Sequence, residues 1–378
     1  MPARRTAAIV LASVVALLLA AIPIWATAGG IRQGLAYLTM TNAVTASERA
    51  GSEYAPALHA LAATTRDAAD LLESARSLAA AADTDLVDAP IRADLASAAD
   101  ALAALVDQVG EYTPAFEPIR VGGYTTSALE DATEAARERI GWYHEHQDGA
   151  IALGTRMEEQ GVVVRSAAQA VFASAVALAG DFDADNWLAT VDDRLAFRRS
   201  ADALEEAALD ADGVAALERY VSAAQALAVS HEAELESFAG ALLQERLAVA
   251  EFANSIAGGV FLDFDWVPEL FGYGSANGGL AGQASLEQSG EYYYSRMTLT
   301  DSVAERWGDG RAESIVAHEV GHAITLKCID IFNAHADGDY EAFATAWAIG
   351  MGYDTPSNGQ AAYGRPSDEL IEATLDCR

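Results

Sequence analysis

No proline occurs between Pro118 and Pro268, and that interval is rich in Ala, Leu, Glu and Arg. These residues lose little on entering a helix, so the interval favours long helices over any other regular structure. Glycine follows the opposite trend: more than half of the 30 glycines lie after residue 257. The boundary is therefore placed at Gly258–Gly259. Residues 31–257 read as an Ala-rich helical bundle and residues 258–378 as a compact domain of mixed structure. The fold class expected is mostly α with a small α+β domain.

Within the helical part, apolar residues recur at steps of three and four. Leu58, Leu61, Ala68, Leu72, Ala75 and Ala82 form one stripe, and Leu95, Ala98, Leu102, Val106 and Val109 another. A longer, coiled-coil-like seam runs Leu217, Val221, Ala224, Ala228, His231, Leu235, Phe238, Leu242, Val249 and Phe252. Long antiparallel helices with narrow seams follow from this pattern. Breaks are expected near Pro90, Pro114–Pro118, Gly122–Gly123, Gly180–Asp185 and Gly213. The region resembles extracytoplasmic helical bundles of sensor or stalk type, a likeness of architecture only. His144-Glu145-His146 reads as an exposed polar patch, because a di-metal carboxylate site would need Glu-x-x-His motifs on paired helices.

Arg4 and Arg5 precede an uncharged apolar run from Ala7 to Ala28, interrupted by Pro23. A basic start, an apolar stretch and the small-residue site Ala26-Thr27-Ala28 describe a secretory signal. The run is also long enough to span a bilayer as an uncleaved anchor, with Trp25 at the interface. Residues 1–30 are thus a signal peptide or a signal-anchor transmembrane helix. Either places the rest of the chain in an extracytoplasmic location, membrane-anchored or secreted. The even pair Cys328 and Cys377 fits that compartment and predicts one disulfide.

With 23 basic and 56 acidic residues, the formal charge is −33. Nucleic acid is excluded as a partner, since phosphate binding needs Lys and Arg. Docking on anionic lipid through a basic face is excluded for the same reason.

After Gly259 the period changes. Val260–Trp266 and Glu291–Leu299 are rich in aromatic and β-branched residues and read as strands, with a Gly-rich stretch between them. From Gly310 the pattern is helical again and carries His318-Glu319-Val320-Gly321-His322. Residues at i and i+4 share a helix face, so both imidazoles can reach one Zn²⁺. Glu319 is offset from that pair and can act as general base on a zinc-activated water. The flanking Ile315, Val316, Ala317, Val320, Ala323 and Ile324 make the helix apolar enough to be buried.

A catalytic zinc site needs a third protein ligand. In the metzincin pattern Gly and His follow the second His by three and six residues; here those positions hold Thr325 and Cys328. In the gluzincin pattern a Glu opens a following helix. Glu341, 19 residues after His322, opens such a helix, and Ala344, Thr345 and Ala348 share its face. Asp339, Asp337 and His335 are the alternative ligands, with Asp339 more like an N-cap.

On these residues the last third of the chain resembles a gluzincin-type zinc peptidase. The resemblance implies Zn²⁺ as cofactor and a peptide or protein substrate. It implies an edge strand that pairs with extended substrate, here Tyr292, Tyr293, Tyr294, Ser295, Arg296, Met297, Thr298 and Leu299. It also implies an oxyanion donor, for which Tyr363, Tyr353 and His335 are candidates, and an acid orienting a ligand, for which Asp330 and Asp301 are candidates. The function expected is that of an exported zinc metallopeptidase. The alternative is a cell-surface helical sensor or scaffold whose zinc domain binds a partner without proteolysis, the helical bundle then being a surface for a protein partner.

Overall fold

All regular structure up to residue 256 is helical in the computed structural model, which describes residues 28–377. The helices are α1 (Ala28–Ala81), α2 (Ala89–Val106), α3 (Thr126–Asp185), α4 (Val191–Glu205), α5 (Ala211–Ser237) and α6 (Leu243–Ile256). Pro90 sits in the first turn of α2, where no backbone N–H is missed. Residues 113–125, with Pro114, Pro118 and the two glycines, carry no regular structure. The expected signal or anchor lies outside the described residues, apart from its last three, which begin α1. Among the described residues only α3 holds a stretch long and apolar enough to cross a membrane, judged by length and composition.

The chain divides into two compact units. Among the described residues, the first holds 28–83, 89–171 and 208–211. Its core is the predicted stripe of α1 (Leu61, Ala68, Leu72, Ala75) together with Leu95 and Leu102 of α2 and Leu129, Leu153 and Val164 of α3. At one end Tyr54 is buried among Trp142 and Tyr143. Here His146 stacks on Trp142 at 4.2 Å and bonds its carbonyl oxygen, while His144 and Glu145 are exposed. His144 and Glu145 are therefore a solvated face, as the sequence suggested, whereas His146 is half-buried against Trp142.

The second unit holds residues 84–88, 172–207 and 212–378. It begins well before the expected boundary at residue 258. Val249, Ala250 and Ala253 of α6 share one core with the C-terminal strands and helices. Gly258 and Gly259, both exposed and with positive φ, turn the chain between two segments of that core. A glycine pair marks a tight turn wherever one is needed, inside a domain as well as between domains. The long seam is also interrupted: α5 stops at Ser237, and α6 begins only at Leu243, after Gly240 at a φ of 126°.

Six strands follow: β1 (Phe261–Val267), β2 (Glu269–Leu270), β3 (Tyr273–Gly274), β4 (Gly282–Ala284), β5 (Glu287–Ser289) and β6 (Tyr292–Thr300). β1 pairs parallel to β6 from Phe261 opposite Tyr294 to Val267 opposite Thr300. β4 and β5 pair antiparallel to the other side of β6. The segment Tyr292–Leu299 is thus the centre of the sheet, and its expected role as an edge strand is corrected. Its backbone groups are taken on both sides, and the edge beside the site is β4. β2 and β3 form a separate hairpin.

The remaining helices are α7 (Asp301–Glu305), α8 (Arg311–Ile324), α9 (Ile329–His335), α10 (Tyr340–Gly350) and α11 (Asp368–Thr374). Asp309 caps α8 by accepting from the N–H groups of Arg311 and Ala312. Every residue from Val316 to Ile324 is buried. Cys328 and Cys377 are joined in a disulfide, and Trp347 Nε1 donates to the Cys377 carbonyl at 2.8 Å. Those two links hold α10 and the C-terminal segment to the end of α8.

Candidate metal centre

Helix α8 places His318 and His322 one turn apart on the same face, with their Nε2 atoms 3.2 Å from each other. Glu341, in the first turn of α10, brings Oε2 to 3.1 Å from His318 Nε2 and 3.2 Å from His322 Nε2. These three donor atoms are close enough together to hold one metal ion between them. Four ligands at about 2.0 Å around a tetrahedral Zn²⁺ are about 3.3 Å apart, so the spacing and the His₂Glu donor set both fit that ion. Among the described residues no other group of three His, Cys, Asp or Glu side chains gathers in this way.

Small residues make the convergence possible. A Cβ on Gly321 would come within 2.7 Å of the Ala344 Cα and carbonyl oxygen, so α8 and α10 meet backbone to backbone. Gly321 thus makes room for the glutamate helix, and not for a strand or a ligand. Asp339 accepts from Ala342 N–H at 2.9 Å and is the N-cap. Asp337 precedes it at a positive φ. His335 lies 3.7 Å from Glu369. None of these three joins the cluster.

Behind the ligands, Thr345 Oγ1 lies 3.4 Å from His318 Nδ1. Thr345 is one turn after Glu341 on the same face and fully buried. If Nε2 faces a metal, Nδ1 carries the proton and donates to this hydroxyl. The turn Pro356–Gln360 closes over both groups. Gly359 has a φ of 98°, and a Cβ there would fall 2.8 Å from His318 Cε1. Asn358, also buried, fixes that turn by donating to the Tyr353 carbonyl at 2.6 Å. The group beside His318 Nδ1 is thus a hydroxyl. Asp301 is engaged with Arg246 at 2.7 Å, and Asp330 lies in the first turn of α9. The signal for Thr345 was its place one turn after Glu341, but a threonine on an apolar face reads as packing.

Glu319 stands beside the cluster and is buried. Burial raises its pKa, against the pull of the two imidazoles. Gly282 of β4 packs on it: a Cβ there would lie 2.6 Å from Glu319 Cγ. The His318 and His322 hydrogen bonds hold the Glu341 carboxyl well below the usual carboxylate range. Burial pushes the His322 imidazolium down, but the Glu341 bond and the neighbouring carboxylates together outweigh it, and the net direction is up.

Of the three candidate donors, only Tyr363 faces this site. Its ring lies parallel to His318 at 6.1 Å, and burial and Glu341 raise its pKa, so it keeps its proton at neutral pH. Tyr353 packs on Phe252 instead. The ligand cluster, Glu319, Tyr363, β4 and the β2–β3 hairpin together line an open cleft of about 500 Å³.

Compared with protein-family models, with curated proteins and with solved structures, the chain gives no significant match.

Proposed function

We propose that this chain is a zinc metallopeptidase of gluzincin type. The reading rests on one observation above all: the Nε2 atoms of His318 and His322 and Oε2 of Glu341 converge at 3.1–3.2 Å, with Glu319 beside them at the wall of an open cleft. The disulfide supports an oxidising, exported setting.

A Zn²⁺ held by these three groups supplies Lewis acidity for a peptide carbonyl and acidifies water. Glu319 is the general base. Its carboxylate is buried beside the two imidazoles at the cleft wall, placed to accept a proton and to return it. It takes the proton of the attacking water as the oxygen adds to the carbonyl carbon. It then gives that proton to the amine nitrogen as the C–N bond breaks. The Tyr363 hydroxyl, protonated at neutral pH, donates to the developing oxyanion. Thr345 fixes the His318 ring, and Gly282 lets the backbone of β4 approach Glu319. The unpaired edge of β4 offers main-chain groups to an extended peptide.

The test combines zinc analysis with cleavage of a peptide library. Protein carrying one zinc should cleave, lose activity on chelation and regain it on zinc addition. Stoichiometric zinc with no cleavage would favour the scaffold reading.

A further inference from the structure

The β2–β3 hairpin closes through two residues, Phe271 and Gly272, between the paired Leu270 and Tyr273. Both have positive φ, 52° and 82°, as a type I′ hairpin turn requires. Gly272 adopts this freely. For Phe271 the Cβ crowds the backbone, and Asn or Asp is the usual residue at such a position. Among the described residues only Phe271 and Asp337 combine a side chain with positive φ, and Asp tolerates it through its short polar group. Phe271 also gains little by burial, for it is 70% exposed. A strained backbone carrying a large ring in water is a pattern of functional sites.

That ring lines the cleft of the candidate metal centre. Hydrogen bonds from Asn277 brace the hairpin under it. Asn277 donates to the Gly272 carbonyl at 2.7 Å and accepts from the N–H groups of Gly274 and Gly279. Gly279 in turn lies on Tyr273, where a Cβ would come 2.6 Å from the ring. Tyr273 and Leu280 continue the apolar lining beside Phe271, and no Lys or Arg contributes to it. Its charged groups are the carboxylates Glu319 and Glu341 with the two imidazoles. Such a wall offers apolar contact to a large side chain and no cationic partner to an acidic one.

We propose that Phe271 is a specificity-determining residue whose ring, with Tyr273 and Leu280, receives one large apolar side chain of an extended peptide lying along β4. An extended peptide turns alternate side chains to one face, so one position of the substrate meets this wall. The proposal rests on the peptidase reading for its cleavage consequence, but not for peptide binding.

The experiment uses the Phe271→Asn variant, which places the favoured Asn-Gly pair in the turn and leaves the hairpin intact. Cleavage sites in a peptide library are mapped by mass spectrometry for wild type and variant. In parallel, zinc-loaded Glu319→Gln, with and without Phe271→Asn, is titrated with labelled peptides differing at one position (Phe, Leu, Ala or Asp). Phe271→Asn should melt at the same or a higher temperature and bind zinc unchanged. Wild type should favour Phe or Leu over Ala at one position by about tenfold or more, and the variant should lose most of that preference. Retention of the preference in Phe271→Asn, or its absence in wild type, would overturn the proposal. If wild type cleaves nothing, the peptidase reading fails, and the binding titration still decides the role of Phe271.

Discussion

Gly321 of α8 lies against Ala344 of α10 with no room for a methyl group: the added carbon would meet the Ala344 Cα and carbonyl oxygen at 2.7 Å. That contact sets the distance between the histidine helix and Glu341. Gly321→Ala must push the helices apart, and overpacking of this kind costs about 1–3 kcal/mol. Differential scanning calorimetry should show a lower melting temperature. A chelator competition should show weaker zinc binding, since Glu341 moves with α10. An unchanged zinc affinity would mean that the helix contact does not set the ligand geometry.

Thr345→Val keeps the shape of the side chain and removes the acceptor for His318 Nδ1. Loss of a partner behind a metal-bound histidine typically weakens metal affinity by about 10–100-fold. Zinc competition should show a loss in that range with little change in stability, and Thr345→Ser should restore most of it. Equal affinities for the three proteins would remove Thr345 from the site.

The clustering of His318, His322 and Glu341 was legible in the sequence because it is written in helix geometry. The four-residue step from His318 to His322 and the helix opened by Glu341 put three donors where two packed helices converge. The small residues Ala344 and Ala348 on the Glu341 face pointed to tight packing on the histidine helix, whereas Gly321 read as room for a strand or substrate and proves to be the other half of that helix contact. The surroundings were not legible. β4 and β5 have three residues each among glycines, too short for alternation to declare them. Without them, Tyr292–Thr300 looked like an edge, because alternation in a strand is the same whether one or both of its sides are paired. The unit boundary was hidden for a related reason: helix α6 shares one core with the strands and helices that follow it, and composition does not record packing.

The disulfide between Cys328 and Cys377 closes a loop across a sequence separation of 49. In the chain-entropy account such a cross-link stabilises by about 4 kcal/mol. Cys328→Ser with Cys377→Ser should therefore lower the denaturation midpoint markedly. Zinc affinity should fall as well, because Trp347 of α10 is bonded to the Cys377 carbonyl. A midpoint within error of wild type would contradict this.

Asp263 of β1 supplies a pH dependence away from the metal centre. Burial raises its pKa to about 6, against the Val191 N–H bond and Arg296, while Glu234 and Asp192 add to the rise. Its unfolded value is about 3.9, so the folded state binds this proton more tightly. The resulting stabilisation is full below about pH 4 and is lost as pH rises through about 6. The side chain is 22% exposed, and the shift corresponds to about 3 kcal/mol. Asp263→Asn keeps an acceptor for Val191 N–H and should be the more stable protein at pH 7.5. Its advantage should shrink as pH falls toward 4, followed by urea unfolding of both proteins. A stability difference that stays constant with pH would contradict the raised pKa.

The most direct measurement compares wild type with Glu319→Gln at matched zinc content on one peptide that wild type cleaves. Glutamine keeps the size and the contact with Gly282 but cannot take a proton. The account predicts full zinc occupancy in both proteins and at least about a 100-fold lower kcat for the variant, the scale of a lost general base. Equal cleavage by the two zinc-loaded proteins would contradict the assignment of Glu319 as the base and, with it, the peptidase reading of this site.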